Sequence, residues 1–294
     1  MRFRIRHTTR YAYDGPVALS HHRAHLLPRP HPRQTVHSAA LSIEPGPEVR
    51  QDGVDVFGNP VSYFALQSPH LELTVQALSE ITVSPPVPPE AAGTPPWETV
   101  ADAAAASGHP ALLEAAEFLF ASPMVPRAAG LRAYAEPSFP RRRPWLEALA
   151  DLTGRIHRDF AFDADATTVA TPLAEVLRLR RGVCQDFAHL QIGCLRAMGL
   201  PARYVSGYLR TLPPPGQPRL VGADMSHAWI SAFCPGLGWV DADPTNDRLV
   251  ADEHITLAWG RDYDDVSPLR GVILGGGDSH NLAVEVDVLP LDPL

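Results

Sequence analysis

A proline-crowded stretch from Ser84 to Trp97 divides this chain into two segments whose residues repeat with different periods. Before it the period is two. Leu71, Leu73, Val75 and Ala77 alternate with Glu72, Thr74 and Gln76, and the opening MRFRIRHTTRYAYDG sets Phe3 and Ile5 among arginines. Such alternation buries one face of a strand and wets the other. Gly58, Asn59 and Pro60 separate Val54–Phe57 from Val61–Leu66 and predict a hairpin turn. Beyond the prolines, alanine- and leucine-rich stretches at 99–121, 125–135 and 144–158 predict helices. Thr171 and Pro172 open another helix to Leu179. A further helical run spans Val183 to Met198, stopped by Gly199 and Pro201, and Tyr204–Leu209 reads as a strand. Pro213–Gly216 makes a turn, His227–Phe233 a strand, Pro235–Gly238 a turn into a strand from Trp239, and Leu282 to Val288 a closing strand. The expected division is a β-rich domain at 1–84, a proline-rich, semi-rigid linker at 85–98 and a mixed segment at 99–294.

At 294 residues, 45% of them hydrophobic, the chain has enough apolar surface for one or two substantial cores. Its 25 basic residues are all arginine, the net charge is −8, and the densest basic cluster is only Arg141, Arg142 and Arg143. No stretch could track a phosphate backbone, so a nucleic-acid partner is not expected. No apolar run is long enough to cross a bilayer, and the N-terminus lacks a secretory apolar region. Cys184, Cys194 and Cys234 are odd in number and lack CxxC spacing, which suits neither a disulfide framework nor a zinc site. A reducing, cytoplasmic location is the expectation. A zinc site from Cys184, His189 and Cys234 is the weakest reading of these residues. His21, His22, His25, His31 and His37 lack metal-binding spacing and read as exposed loop residues.

Cys184 follows Arg181, Gly182 and Val183 at the predicted start of a helix. Helix starts carry unsatisfied N–H groups that favour negative charge, the environment in which a cysteine becomes a nucleophile. Cys194 and Cys234 read as small apolar residues. His227 and Asp243 lie at equal distances from residue 235, so a hairpin centred there sets them opposite each other on one face. A carboxylate so placed orients an imidazole whose other nitrogen serves a thiol as base and then as acid. Asp241 shares that face, and register alone does not choose between the two. Trp229 and Trp239 fall on it too, as site walls or as core.

The stretch RRGVCQDFAHLQIGCLRAMGLPARYVSGYL, followed by SHAWISAFCPGLGWVDADPTND, resembles the core of the bacterial transglutaminase-like family. TTRYAYDGPVALSHHRAHLLPRP and DVFGNPVSYF resemble the β-rich domain that precedes it. The resemblance implies an α+β fold: a papain-like core, with the nucleophile helix packed on an antiparallel sheet. It implies a triad of Cys184, His227 and Asp243, and gives Asp241 no part in it. Gln185 and Asp186 are expected to be structural, Asp186 complementing the helix dipole. The implied chemistry is attack on a peptide-like amide or carboxamide through an acyl-thioester. The Cys184 N–H is the first oxyanion donor, and Trp145 is the nearest match to the upstream tryptophan that supplies the second in animal transglutaminases. No cofactor is expected, since no acidic cluster supports calcium dependence. A peptidase or amidase is the favoured reading, with glutamine acyl transfer to amines and a silent peptide-binding module as alternatives.

Overall fold

A computed structural model describes residues 1–87, 90–106, 110–210 and 225–291. The predicted turn at Pro213–Gly216 lies outside them. The spine of the N-terminal region is β1 (Arg2–Ala24), a strand of 23 residues. The strands β2 (Gln34–Glu44), β3 (Val49–Val54), β4 (Pro60–Leu66) and β5 (His70–Val83) follow. β5 pairs with the first half of β1 and β4 with its end, while β2 and β3 extend the sheet outward. Alternation along β1 turns Phe3 and Ile5 inward, where they are nearly unexposed and join the same core as the helices. Tyr13, Val17, Phe64 and Leu73 fill a second, local core.

The helical layer contains α1 (Trp97–Ala106), α2 (Pro110–Ala116), α3 (Leu131–Ala135) and α4 (Trp145–Asp159). The expected helix at 125–135 shortens because Pro126 cannot lie inside a helix and Gly130 adopts φ 90° just before α3. Two short strands, β6 (Ala161–Phe162) and β7 (Arg181–Gly182), flank α5 (Leu173–Leu179). Next comes α6 (Cys184–Ala197), in which every residue from Asp186 to Leu195 is buried. A helix buried all round is the centre of its layer. It packs against β8 (Ala202–Leu209) and β9 (Met225–Cys234). Those strands belong to a second sheet with β10 (Gly238–Asp243), β11 (Arg248–Leu249) and β12 (His254–Gly260), in the order β11-β10-β9-β8-β12. The chain then passes through α7 (Tyr263–Val266), β13 (Leu269–Gly275) and β14 (His280–Pro290).

The closing strand joins a sheet that its alternation could not name. Both β13 and β14 pair with β1, so residues 269–290 complete the N-terminal sheet rather than the sheet that carries His227. The two regions are fastened side by side. The Tyr208 hydroxyl and His7 Nδ1 are hydrogen-bonded at 2.9 Å. The carboxamide of Gln34 pairs with both the N–H and C=O of Thr256, and that of Asn59 pairs with both groups of Trp259. Edge strand β12 thereby has its open ladder satisfied by two side chains from the N-terminal region. The histidines of that region also depart from expectation. His22 and His25 are buried, one within β1 and stacked on Phe64 at 4.9 Å, the other just past the end of β1 and bonded to Asp55.

Among the described residues no helix is long and apolar enough to cross a membrane.

Candidate active site

Cys184 is the first residue of α6 and remains partly exposed. The turn beneath it is held by Asp186, whose Oδ2 accepts the Val183 N–H at 2.9 Å and the Thr167 hydroxyl at 2.6 Å. This is half of a capping box, and it fixes the entry of the chain into the helix. Burial pushes the Asp186 carboxyl up, partly countered by those two bonds. Room for the folded-back carboxylate comes from Gly182, where a Cβ would lie 2.5 Å from Asp186 Oδ2 and 2.9 Å from its Cβ. Gly182→Ala is expected to cost about 1 to 3 kcal/mol through strain and the lost cap, read as a lower midpoint in urea denaturation.

His227 lies on β9 opposite Gly207 of β8. The lack of a side chain at Gly207 admits the Trp229 ring, which a Cβ there would meet at 2.4 Å. Trp229 is fully buried beside His227, ring centroids 6.1 Å apart, and packs the imidazole from one side. His227 Nε2 donates to Asp243 Oδ2 at 2.8 Å, and Cys184 acts on the same ring, raising its pKa. With Nε2 committed to the carboxylate, Nδ1 is the nitrogen left for the sulfur. Burial alone would depress the imidazole, but the Asp243 bond, then Cys184, outweigh it and hold the pKa at about 9.

The D-P-T-N sequence now has a physical explanation. Asp243 is unexposed, and the turn after it directs the Thr245 and Asn246 N–H groups to Oδ1 at 3.0 and 3.2 Å. Asn246 Nδ2 donates to Oδ2 at 2.7 Å, and His254 Nε2 to the same atom at 3.1 Å. Burial raises a carboxyl, yet the donors from His227, His254 and Asn246 win and keep Asp243 far below the usual carboxylate range. The ligand atoms of His227, Asp243 and His254 lie within 4.8 Å of one another, close enough to share a cation, but N–H donors already occupy the carboxylate.

The β9–β10 hairpin is centred one residue later than expected. Cys234 pairs with Gly238, leaving Pro235, Gly236 and Leu237 as the loop, with φ of 84° at Gly236 and 79° at Gly238. Asp243 is therefore diagonal to His227 rather than opposite it. The face is unchanged, because moving the centre by one residue shifts each cross-strand partner by two positions. Asp241 points to Arg33, 3.4 Å away, and makes no bond to His227 among the described residues.

The tryptophans separate. Trp239 stands opposite Phe233, six positions beyond His227 along β9, or about 20 Å at the rise of an extended strand. Its ring packs on Phe118, Phe233 and the Arg203 guanidinium, so it does not wall the site. Trp145 is fully buried at the start of α4; among the described residues no hydrogen bond or ring contact joins it to Cys184, His227 or Asp243. Cys184, His189 and Cys234 do not gather as metal ligands among the described residues: His189 accepts the Tyr263 N–H at 3.1 Å.

Two residues near the site escaped the motifs. One is His254. The other is Tyr204 on β8, 2% exposed and packed with its ring tilted against that of His189 at 5.0 Å, whose hydroxyl makes no hydrogen bond among the described residues. Burial first, and then the charge of Cys184, raise its phenol well above the ordinary value, so the hydroxyl is protonated and senses Cys184.

Comparison with known proteins agrees with this architecture. Residues 3–82 match the model of the bacterial transglutaminase-like N-terminal region, and residues 132–244 that of the transglutaminase-like superfamily. An uncharacterised protein of Mycobacterium tuberculosis (strain H37Rv) is 44% identical over 99% of this chain and 93% of its own, and one of Mycobacterium leprae is 34% identical over 98% and 97%. A protein-glutamine gamma-glutamyltransferase of Pseudomonas aeruginosa is 42% identical over a stretch covering 31% of this chain and 15% of its own. A candidate cysteine protease from Cytophaga hutchinsonii shares the fold with a TM-score of 0.77 at 21% identity, over 100% of this chain and 92% of the other. This chain belongs to the bacterial transglutaminase-like family.

Proposed function

We propose that this chain is a cysteine enzyme that cleaves peptide-like amides through an acyl-thioester, with Cys184 as nucleophile, His227 as acid and base, and Asp243 as its orienting carboxylate. One observation carries the reading. A partly exposed thiol at a helix start acts on the titration of an imidazole whose Nε2 is fixed by a buried anion.

The thiolate adds to the amide carbonyl and forms the C–S bond, while the charge on oxygen is met by the Cys184 N–H. His227 gives its proton to the departing nitrogen as the C–N bond breaks, releasing ammonia or an amine. A water that loses its proton to His227 then attacks the thioester, freeing the acid and the thiol.

The second oxyanion donor we assign is the Tyr204 hydroxyl, in place of Trp145. Its support is an O–H on a buried side chain that makes no hydrogen bond among the described residues and feels the charge of Cys184. Tyr204→Phe is expected to lower kcat by about 10- to 1,000-fold with KM little changed. An unchanged kcat would remove Tyr204 from the mechanism.

Hydrolysis is favoured over transfer because the partial exposure of Cys184 leaves water access to the thioester. Transfer to an amine is the second reading, supported by the similarity to the Pseudomonas glutamyltransferase over part of the chain. The deciding experiment is mass spectrometry of a glutamine-containing peptide library with and without a primary amine, controlled by Cys184→Ala. Cysteine-dependent cleavage or deamidation that ignores the amine supports the hydrolase, whereas amine incorporation supports transfer. Product formed equally by Cys184→Ala would overturn both.

A further inference from the structure

Asp243 does not serve His227 alone. His254 opens edge strand β12 opposite Leu209 and sends its Nε2–H to the same carboxylate oxygen that His227 uses. Its side chain is fully buried, with the Trp229 ring edge-on at 5.2 Å and the His227 ring at 6.1 Å. Burial depresses the His254 pKa, with Asp243 offsetting it only in part, whereas His227 is held at about 9. One carboxylate thus holds one charged and one neutral imidazole.

A neutral imidazole has a single N–H. The carboxylate fixes that proton on Nε2 and leaves Nδ1 buried with no partner. An orphaned acceptor costs stability, so packing alone gives no reason for histidine at this position. The donated bond is what the histidine contributes.

We infer that His254 is a positioning residue: by taking a share of the Asp243 Oδ2 charge it sets the aim and the proton-donating strength of His227. The inference rests on the triad reading proposed above. A carboxylate held by fewer donors would grip the His227 imidazolium harder and slow its proton transfer to the leaving nitrogen. The charged groups facing His254 are Asp243 of β10, His227 of β9 and Arg248 of β11, with Cys184 beyond His227. The Gln34 carboxamide holds β12 two residues away, at Thr256, so the N-terminal region sets the position of this strand.

His254→Met keeps the volume and removes the donor, and His254→Gln keeps an N–H near the position of Nε2. The readouts are the pH profile of Cys184 alkylation by iodoacetate, which needs no substrate, and kcat on the glutamine peptides. Iodoacetate is an anion drawn by the imidazolium, so its reaction falls as His227 loses its proton. The Met variant is expected to move this alkaline limb upward by about 0.5 to 1 pH unit and to lower kcat about tenfold. The Gln variant is expected to return both to wild-type values. A folded Met variant whose limb stays in place or falls would overturn the inference. Should the Met variant fail to fold, the Gln variant decides: a wild-type limb supports the inference and a displaced one overturns it. A wild-type profile with no limb near the pH of His227 titration would sink the triad reading as well.

Discussion

Cys184→Ala is expected to lower kcat by about 10⁵- to 10⁶-fold, the loss seen when the nucleophile of a catalytic triad is removed. No other thiol can take its place. Burial pushes Cys194 up to about 12 and Cys234 to about 11, and neither is exposed. Folding should survive, because Cys184 is partly exposed and the capping bonds beneath it run through Val183 and Asp186. Unchanged thermal unfolding alongside lost turnover would separate chemistry from structure.

Asp243→Asn is the second large effect, about 10³- to 10⁴-fold in kcat. The carboxylate accepts from His227, His254, Asn246 and the Thr245 N–H, and an amide placed there turns one acceptor into a donor facing other donors. Breaking such a buried charged network costs about 3 to 5 kcal/mol, which denaturant titration would detect. The pH profile carries the sign. His227 is raised above its ordinary value of 6.5 to about 9, so its ion-pair contribution is complete below 6.5 and lost as pH rises through about 9. Without the carboxylate, burial, the largest influence on this imidazole, is less opposed, and the alkaline limb should move down by more than one pH unit.

The sequence made the chemistry more legible than its surroundings. A cysteine at a helix start, a histidine on a strand and an aspartate before a turn are local features, and each carries a local physical signal. Alternation also predicted the strand at 282–288, but a period of two says nothing about partners, and β14 went to β1. The hairpin centre missed by one residue because Gly236 and Gly238 both take left-handed backbone, and the site's face survived because a centre moved by one shifts each cross-strand partner by two. Trp239 shares a face with Asp243 yet lies far along it, a distance that parity cannot convey. His254 had no signal, since its bond to Asp243 is made across the fold from an edge strand that begins eleven residues later. Tyr204 was hidden in an apolar strand, where its free hydroxyl looked like packing.

The most direct test of an activated Cys184 is its alkylation rate by iodoacetate against pH, followed by mass spectrometry in the wild type and in Asp243→Asn. The account predicts that near pH 7 Cys184 reacts about 10- to 30-fold faster than a free cysteine thiol, that the rate declines as pH rises through about 9, and that both features are lost in the variant. A Cys184 that reacts no faster than free cysteine, climbs steadily with pH and is indifferent to Asp243→Asn would contradict it.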